Sequence, residues 1–198
     1  MKTYIASKNE GKVRELRTIL VDSELELHAY PGYLDVSEDA TSYVGNAFVK
    51  ARALQQQLRD DGIEACVLSD DSGLEVEVLG GRPGVLSARY AGAESSWDVR
   101  LAALLRELDG VTGPNRAARF VCVTVLLVPN AESVVGLGIV EGTIVHEPRG
   151  SGGFGYDPIF YYPPFDRTFA EVSAEQKNGV SHRRRAADAL LGALRRRG

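Results

Sequence analysis

Asp70 and Asp71 stand side by side where the apolar run Ala65–Leu68 gives way to Ser69-Asp70-Asp71-Ser72-Gly73. Paired acids at the end of a buried strand are costly to desolvate unless a cation or hydrogen-bond donors compensate. If the strand persists, the two side chains point to opposite sides, so one metal is not expected to take both. One carboxylate would then ligate or act as a base while the other orients a neighbour. The alternative is an ordinary Asp-rich turn with Gly73 at positive φ, as in many hairpins.

Three further polar clusters sit where elements end. Ser7-Lys8-Asn9-Glu10-Gly11-Lys12 is a strand-to-helix turn without the glycine spacing of a P-loop. It still offers helix-terminal N–H groups, a hydroxyl, an amide and a lysine. Lys12 in a first helical turn faces the positive end of the helix dipole, which suits it only if an anion binds there; otherwise it is a solvated surface lysine. Arg149-Gly150-Ser151-Gly152-Gly153-Phe154-Gly155-Tyr156-Asp157-Pro158 lets backbone approach a ligand, and its two aromatics could stack on a base. On its own it is equally a flexible glycine-rich turn. The last cluster is a capping-box pattern, Ser173-Ala174-Glu175-Gln176, followed by Lys177 and by Ser181-His182-Arg183-Arg184-Arg185. Cations at the start of that final helix oppose its dipole and mark an anion or base-edge site, whereas Arg195–Arg197 agree with the dipole and read as solvated. Together these clusters suit a nucleoside triphosphate.

The elements that must carry them alternate. Lys2–Ala6 reads as a strand, and Val13, Leu16, Ile19 and Leu20 recur at helical spacing. Thr41 and Ser42 are caps for a helix with Val44, Ala47, Phe48, Ala51 and Leu54 on one face. Leu74–Leu79 reads as a half-exposed strand. Ser95 or Ser96 starts a helix with Val99, Leu101, Leu104, Leu105 and Leu108 inward. Phe120–Val128 and Val134–Val145 are long β-rich runs, the second broken by Gly136, Gly138 and Gly142 at expected bends or bulges. From Ser181 a last helix carries Ala186, Ala189, Leu190, Ala193 and Leu194 as a stripe. This pattern predicts an α/β fold with a mixed sheet, in one domain over 1–198.

Composition narrows the class. The chain has 198 residues, 44% of them hydrophobic, and a net charge of −4. That is too apolar for disorder. From Lys177 onward the segment is +6 and the remainder −10, an asymmetry that would suit a nucleic-acid-binding helix except that the acidic remainder steers polyanions poorly. No run approaches the length of a membrane span or of a signal peptide's apolar region. Cys66 and Cys122 both lie in apolar runs without zinc spacing, so buried thiols in a reducing, cytoplasmic compartment are expected.

Six stretches, in order, resemble the inosine/xanthosine triphosphate pyrophosphatase family, the Ham1p-like proteins. They are Ser7-x-Asn9-x-x-Lys12, Asn46-Ala47-x-x-x-Lys50-Ala51, Ser69-Asp70-Asp71-Ser72-Gly73-Leu74-Glu75-Val76, Leu79-Gly80-Gly81-x-Pro83-Gly84-Val85-x-Ser87-Ala88-Arg89-Tyr90, Gly152-Gly153-Phe154-Gly155-Tyr156-Asp157-Pro158-x-Phe160, and Lys177 with Ser181-His182-Arg183. The resemblance spans residues 7 to 183. It implies an elongated mixed β-sheet flanked by helices, two lobes with the active site in the cleft between them, and usually a homodimer. It also implies Mg²⁺-dependent cleavage of deaminated purine triphosphates (ITP, dITP, XTP) to the monophosphate and pyrophosphate, with neither nucleic acid nor membrane as partner. A related house-cleaning pyrophosphatase acting on other modified nucleotides is the neighbouring alternative.

By the same resemblance the turn Ser7, Lys8, Asn9, Glu10, Gly11 and Lys12 holds the triphosphate. Asp71 is general base and metal ligand, Glu38 the second ligand, and Ser72 a substrate contact. Phe154 stacks on the purine, with Gly155, Tyr156, Asp157, Lys177, His182 and Arg183 reading or closing on it. A donor such as Arg183 aimed at the purine 6-position suits a carbonyl and meets the amino group of adenine badly. Two positions depart from the family pattern. Gly45 stands where Glu usually precedes Asn-Ala, and Arg184 stands where glycine usually follows Ser-His-Arg.

Overall fold

The structure, a computed structural model, describes residues 1–34 and 36–197. The described strands form one seven-stranded mixed sheet in the order β2-β1-β3-β4-β5-β6-β7. They are β1 (Lys2–Ile5), β2 (Glu26–His28), β3 (Cys66–Val76), β4 (Ala117–Leu127), β5 (Val134–Ile144), β6 (Phe160–Tyr162) and β7 (Arg167–Thr168). The helices are α1 (Glu10–Ile19), α2 (Tyr43–Asp60), α3 (Trp97–Glu107), α4 (Ala174–Val180) and α5 (His182–Arg195). None is long and apolar enough to cross a membrane. The chain divides into two compact units. The first comprises Met1–Asp71, Cys122–Gly138 and Ser181–Gly198; the second comprises Ser72–Val121 and Ile139–Val180.

In the first unit, β1 runs parallel to β2 and β3, pairing Thr3 with Cys66 and Ile5 with Leu68. Such strands need crossover connections, and α1 and α2 supply them. Asn9 caps α1 by accepting from the Lys12 N–H at 3.0 Å, and Ser42 caps α2 by accepting from the Gly45 N–H. The buried face of α2 is rotated from the one its apolar spacing predicts. Ala47, Ala51 and Leu54 face inward as expected, but Asn46 and Lys50 join them while Val44 is exposed. The spacing rule counts apolar residues only, and Asn46 and Lys50 can turn inward because polar partners await them.

The strand β3 takes the first of the two courses open to it, persisting past the aspartates, and corrects only where the following strand was expected to end. It runs unbroken through Ser69-Asp70-Asp71-Ser72-Gly73, with no turn and with Gly73 in the strand, and it ends at Val76 rather than Leu79. A short 3₁₀ turn takes over at Glu77–Leu79, closed by Gly80 and Gly81 at φ +66° and +86°. The reversal is thus placed where two glycines permit positive φ, several residues beyond the aspartates.

In the second unit an aromatic core forms from Phe120, Phe160, Phe169 and Tyr162, with ring centroids of successive pairs 4.5 to 6.2 Å apart. Its helix α3 is capped by Ser96. Val99, expected inward, is half exposed; Arg100 turns in instead, donating to Ala93 O at 2.8 Å and lying over Trp97. Buried Arg116 binds four carbonyls, those of Leu108, Val111, Ile144 and Val145, and so ties the end of α3 to the end of β5. The capping box before α4 is present, with Ser173 and Gln176 exchanging side-chain-to-backbone bonds.

The glycines of β5 are contact points rather than bends. A Cβ on Gly136 would lie 2.1 Å from Ala186 O, and one on Gly138 would lie 2.1 Å from His182 O. In the first unit, therefore, α5 rests backbone-on-backbone against β5. Its buried side is His182, Arg183, Ala186, Ala187 and Leu190, with Ala189 exposed, a rotation from the predicted stripe that takes Arg183 into the interior. Gly138→Ala should push α5 off the strand and destabilise the protein by about 3 kcal/mol, the upper end of overpacking costs. Urea unfolding measures this; an unchanged midpoint would show that the seat is not needed.

Candidate active site

The pleat of β3 sends Asp70 and Asp71 to opposite sides, and each side carries its own compensation. Asp70 is 1% exposed. Its Oδ2 accepts from Arg183 Nε at 3.2 Å and lies 3.4 Å from Lys12 Nζ and 3.8 Å from Cys122 Sγ. Arg183, equally buried, gives its Nη1 to the carboxylate of Glu15. Lys12 and Glu15 reach this cluster together because residues three apart share one helix face. Burial alone would raise the Asp70 carboxyl, but Lys12, Arg183 and Lys50 outweigh it and hold it well below the usual carboxylate range. Burial would likewise lower Arg183, yet Asp70 and Glu15 hold it above its ordinary value. Cys122, sealed beside Asp70, is pushed up to about 12 by burial and then by that carboxylate. It is an unreactive thiol.

Asp71 faces α2. Asn46 Nδ2 donates to its Oδ2 at 3.0 Å, and Lys50 Nζ lies 3.8 Å from its Oδ1. Lys50 also donates to Glu38 Oε1 at 2.9 Å, so one ammonium spans both carboxylates. Burial works against that charge, but Asp70, Asp71 and Glu38 overcome it and raise Lys50. Asp71 moves oppositely to Asp70. Burial raises it, and the lowering by Lys12, Lys50 and Asn46 only partly offsets burial and Glu38.

The turn before α1 folds partly on itself. Ser7 Oγ accepts from the Asn9 N–H, and Asn9 Oδ1 is spent on Lys12 N–H. Lys8, Asn9 and Glu10 are exposed, and Ser7, Gly11 and Lys12 half-buried. Lys12 is no idle surface lysine, since its ammonium sits over Asp70.

The second unit brings together Phe154, Asp157 and Lys177. Asp157 Oδ2 accepts from the Phe154 N–H at 2.8 Å and pairs with Lys177, whose ammonium lies 4.8 Å from the Phe154 ring centroid. Gly153, at φ +69°, is required there, because a Cβ would fall 2.0 Å from Asp157 Oδ2. Asp157 and Lys177 are therefore buried builders of this loop, beneath half-buried Phe154. Gly155 lies over Trp97. Tyr156 corrects the expectation of a second stacking aromatic. Its ring is buried edge-on to Trp97 and its hydroxyl donates to Ser87 O, so its side chain belongs to the core.

The remaining predicted residues are Ser72, half-buried on β3, and His182, buried as the first residue of α5. Three participants have no role in the sequence reading. Asn46 and Lys50 appear there only as matched letters, and Glu15 not at all. A lysine in phase with Ala47, Ala51 and Leu54 was the available signal, since it must meet a buried anion.

The sequence model of the Ham1 family matches residues 3–193. The chain belongs to that family. A dITP/XTP pyrophosphatase of Geobacillus kaustophilus is 44% identical over 185 residues, covering 92% of this chain and 88% of that protein. Among solved structures, the Ham1 protein of Staphylococcus aureus superposes with a TM-score of 0.85 at 38% identity, covering all of both chains. A Ham1 protein from Coxiella burnetii does so with 0.86 at 36% identity, covering 99% of each. Of the two departures from the family pattern, Arg184 is accounted for by a surface ion pair with Asp188 at 2.9 Å.

Because the folded Asp70 carboxyl lies below its unfolded value of about 3.8, its stabilising contribution is complete above that pH and is lost as pH falls below it. Asp70→Asn should cost about 3–5 kcal/mol at pH 7 by leaving Arg183 partly uncompensated. Thermal unfolding from pH 7 to 2 should show the variant losing less stability in the acid range than wild type; parallel curves would contradict this.

Proposed function

We propose that the protein hydrolyses deaminated purine nucleoside triphosphates (ITP, dITP and XTP) to the monophosphate and pyrophosphate, and so clears them from the nucleotide pool. The observation that carries this reading is Asp71, a buried carboxylate with one oxygen held by Asn46 and the other turned toward a lysine shared with Glu38. It is a fixed proton acceptor beside a second acid. The names of the 41–45% identical relatives support the substrate class.

A divalent metal fits this pair. Both Glu38 and Asp71 offer hard oxygen donors, and the pair already draws one cation, the Lys50 ammonium. Among the described residues no group of three or more His, Cys, Asp or Glu gathers as a ligand set. Two carboxylates with the remaining positions left to water and phosphate oxygens is the arrangement Mg²⁺ favours. When bound, the ion would neutralise charge developing on the phosphate oxygens. Asp71 accepts the proton of the water that attacks the α-phosphorus, and the bond to the pyrophosphate oxygen breaks as the water oxygen bonds. The N–H groups opening α1, with Lys12, take phosphate charge. Ser72 contacts the substrate. Phe154 stacks on the purine, and Lys177, Asp157, His182 and Arg183 serve the base. Arg183 is suited to discrimination because two carboxylates fix its guanidinium, and a fixed donor cannot adapt to a 6-amino group. The protein acts in the cytoplasm as a homodimer, with no nucleic-acid partner.

Incubation with ITP, dITP, XTP, ATP and GTP, with and without Mg²⁺, tests the reading by product identity. Monophosphate and pyrophosphate from the deaminated purines are expected, and Asp71→Asn should lose at least about 10²-fold in turnover yet still bind nucleotide. Release of orthophosphate, or preference for ATP, would overturn the assignment, and near-normal turnover by Asp71→Asn would refute the base. Lys50 lowers the Asp71 pKa, so Lys50→Met should move the acid limb of kcat/KM to higher pH. A limb that stays put or moves down would remove Asp71 from the pH dependence.

A further inference from the structure

The other departure, Gly45, is the third residue of α2, where glycine weakens a helix relative to alanine. The family's usual Glu would complete a capping box with Ser42, so this chain forgoes two helix-stabilising options. The neighbour that explains it is Ala40. A Cβ built on Gly45 would lie 2.7 Å from the Ala40 Cβ and 3.0 Å from Ser42 Oγ. Carbon atoms in contact sit near 3.5–4.0 Å, so the first approach is not tolerable. Ser42 can turn its hydroxyl aside, whereas the Ala40 Cβ moves only with its backbone. That backbone is tied down. The Ala40 N–H donates to Asn46 Oδ1 at 3.0 Å, Asn46 Nδ2 donates to Asp71, and two residues earlier Glu38 takes Lys50.

We infer that Gly45 is a positioning residue matched to Ala40, and that its bare Cα seats the Glu38-bearing segment on the first turn of α2. Asn46 then holds that segment with one end of its amide and Asp71 with the other, fixing the spacing of the two carboxylates. A side chain at 45 requires its absence at 40. The inference rests on the metal reading of Glu38 and Asp71, and deepens it by naming what sets their separation.

The test uses nucleotide-free protein and two measurements, the thermal midpoint and Mn²⁺ affinity from the spin-resonance signal of free Mn²⁺. The set is wild type, Gly45→Ala, Ala40→Gly, Ala40→Gly/Gly45→Ala, and Glu38→Gln as the metal reference. At an unencumbered helix position Gly→Ala raises stability. Here the expected sign is opposite. Gly45→Ala should lower the midpoint and weaken Mn²⁺ about tenfold, as loss of outer-shell support does, and adding Ala40→Gly should restore both. A raised midpoint with unchanged Mn²⁺ affinity in Gly45→Ala overturns the inference. So does a midpoint that follows the cycle while Mn²⁺ affinity never moves, because that is a packing role alone. Equal Mn²⁺ binding by wild type and Glu38→Gln would sink the metal reading and the role assigned to Gly45 with it; the midpoint cycle would then register the contact independently of that failure.

Discussion

Two carboxylates buried side by side on one strand present a charge problem that the strand cannot solve alone. Removing each from water costs several kcal/mol even after relaxation, and the pleat gives them different direct partners although the charges of Lys12 and Lys50 are felt by both. Each side of β3 therefore brings its own contacting groups. On one side Lys12 and Arg183 meet Asp70, with Glu15 balancing the arginine; on the other Lys50 and Asn46 meet Asp71. In the first unit, helix placement follows from this requirement as much as from apolar burial. The α1 helix must present Lys12 and Glu15 on one face, and α2 must turn Asn46 and Lys50 inward. The α5 helix must come close enough for Arg183 to reach β3, which is why β5 carries glycine at 136 and 138.

The two sides solve the problem to different degrees, and this separates the neighbouring aspartates chemically. Asp70 is overcompensated, since its cations outweigh burial and keep it ionised. At Asp71 burial, aided by Glu38, prevails over Lys12, Lys50 and Asn46. Pairs of acids whose environments push their pKa values apart divide their labour in this way, one serving as a fixed anion and the other as the group that exchanges protons. The permanence of Asp70 fixes Arg183, while the Asp71 carboxyl stays above its ordinary range.

Much of this was open to reading because local rules and tertiary demands agreed. Ser42, Ser96 and Ser181 cap helices whose apolar residues follow at helical spacing, and Ser173 with Gln176 forms the box its letters spell. The failures fall where a buried polar group overrides a local rule. The buried faces of α2, α3 and α5 differ from those their apolar spacing predicts because Lys50, Arg100 and Arg183 point inward, and apolar periodicity gives a buried cation no weight. Tyr156 departs from expectation for the converse reason. A tyrosine in a glycine-rich loop looks available, but one carbonyl, that of Ser87, suffices to draw its hydroxyl into the core.

The basic end of the chain shows what such overrides do to charge. Along the sequence, Lys177 to the terminus is a block of +6 in an acidic protein. In the fold at least four of its seven cations end on carboxylates in different places. Lys177 meets Asp157, Arg183 meets Asp70 and Glu15, Arg184 meets Asp188, and Arg197 meets Glu132 while also bonding two carbonyls beside it. Two of the four, Lys177 and Arg183, are buried. A polyanion gains affinity from cations that its phosphates can reach in exchange for counterions, and a buried guanidinium already held by two acids offers no such exchange. The two buried cations of this segment thus act inward, on the acids of the fold, and are not available to an external polyanion.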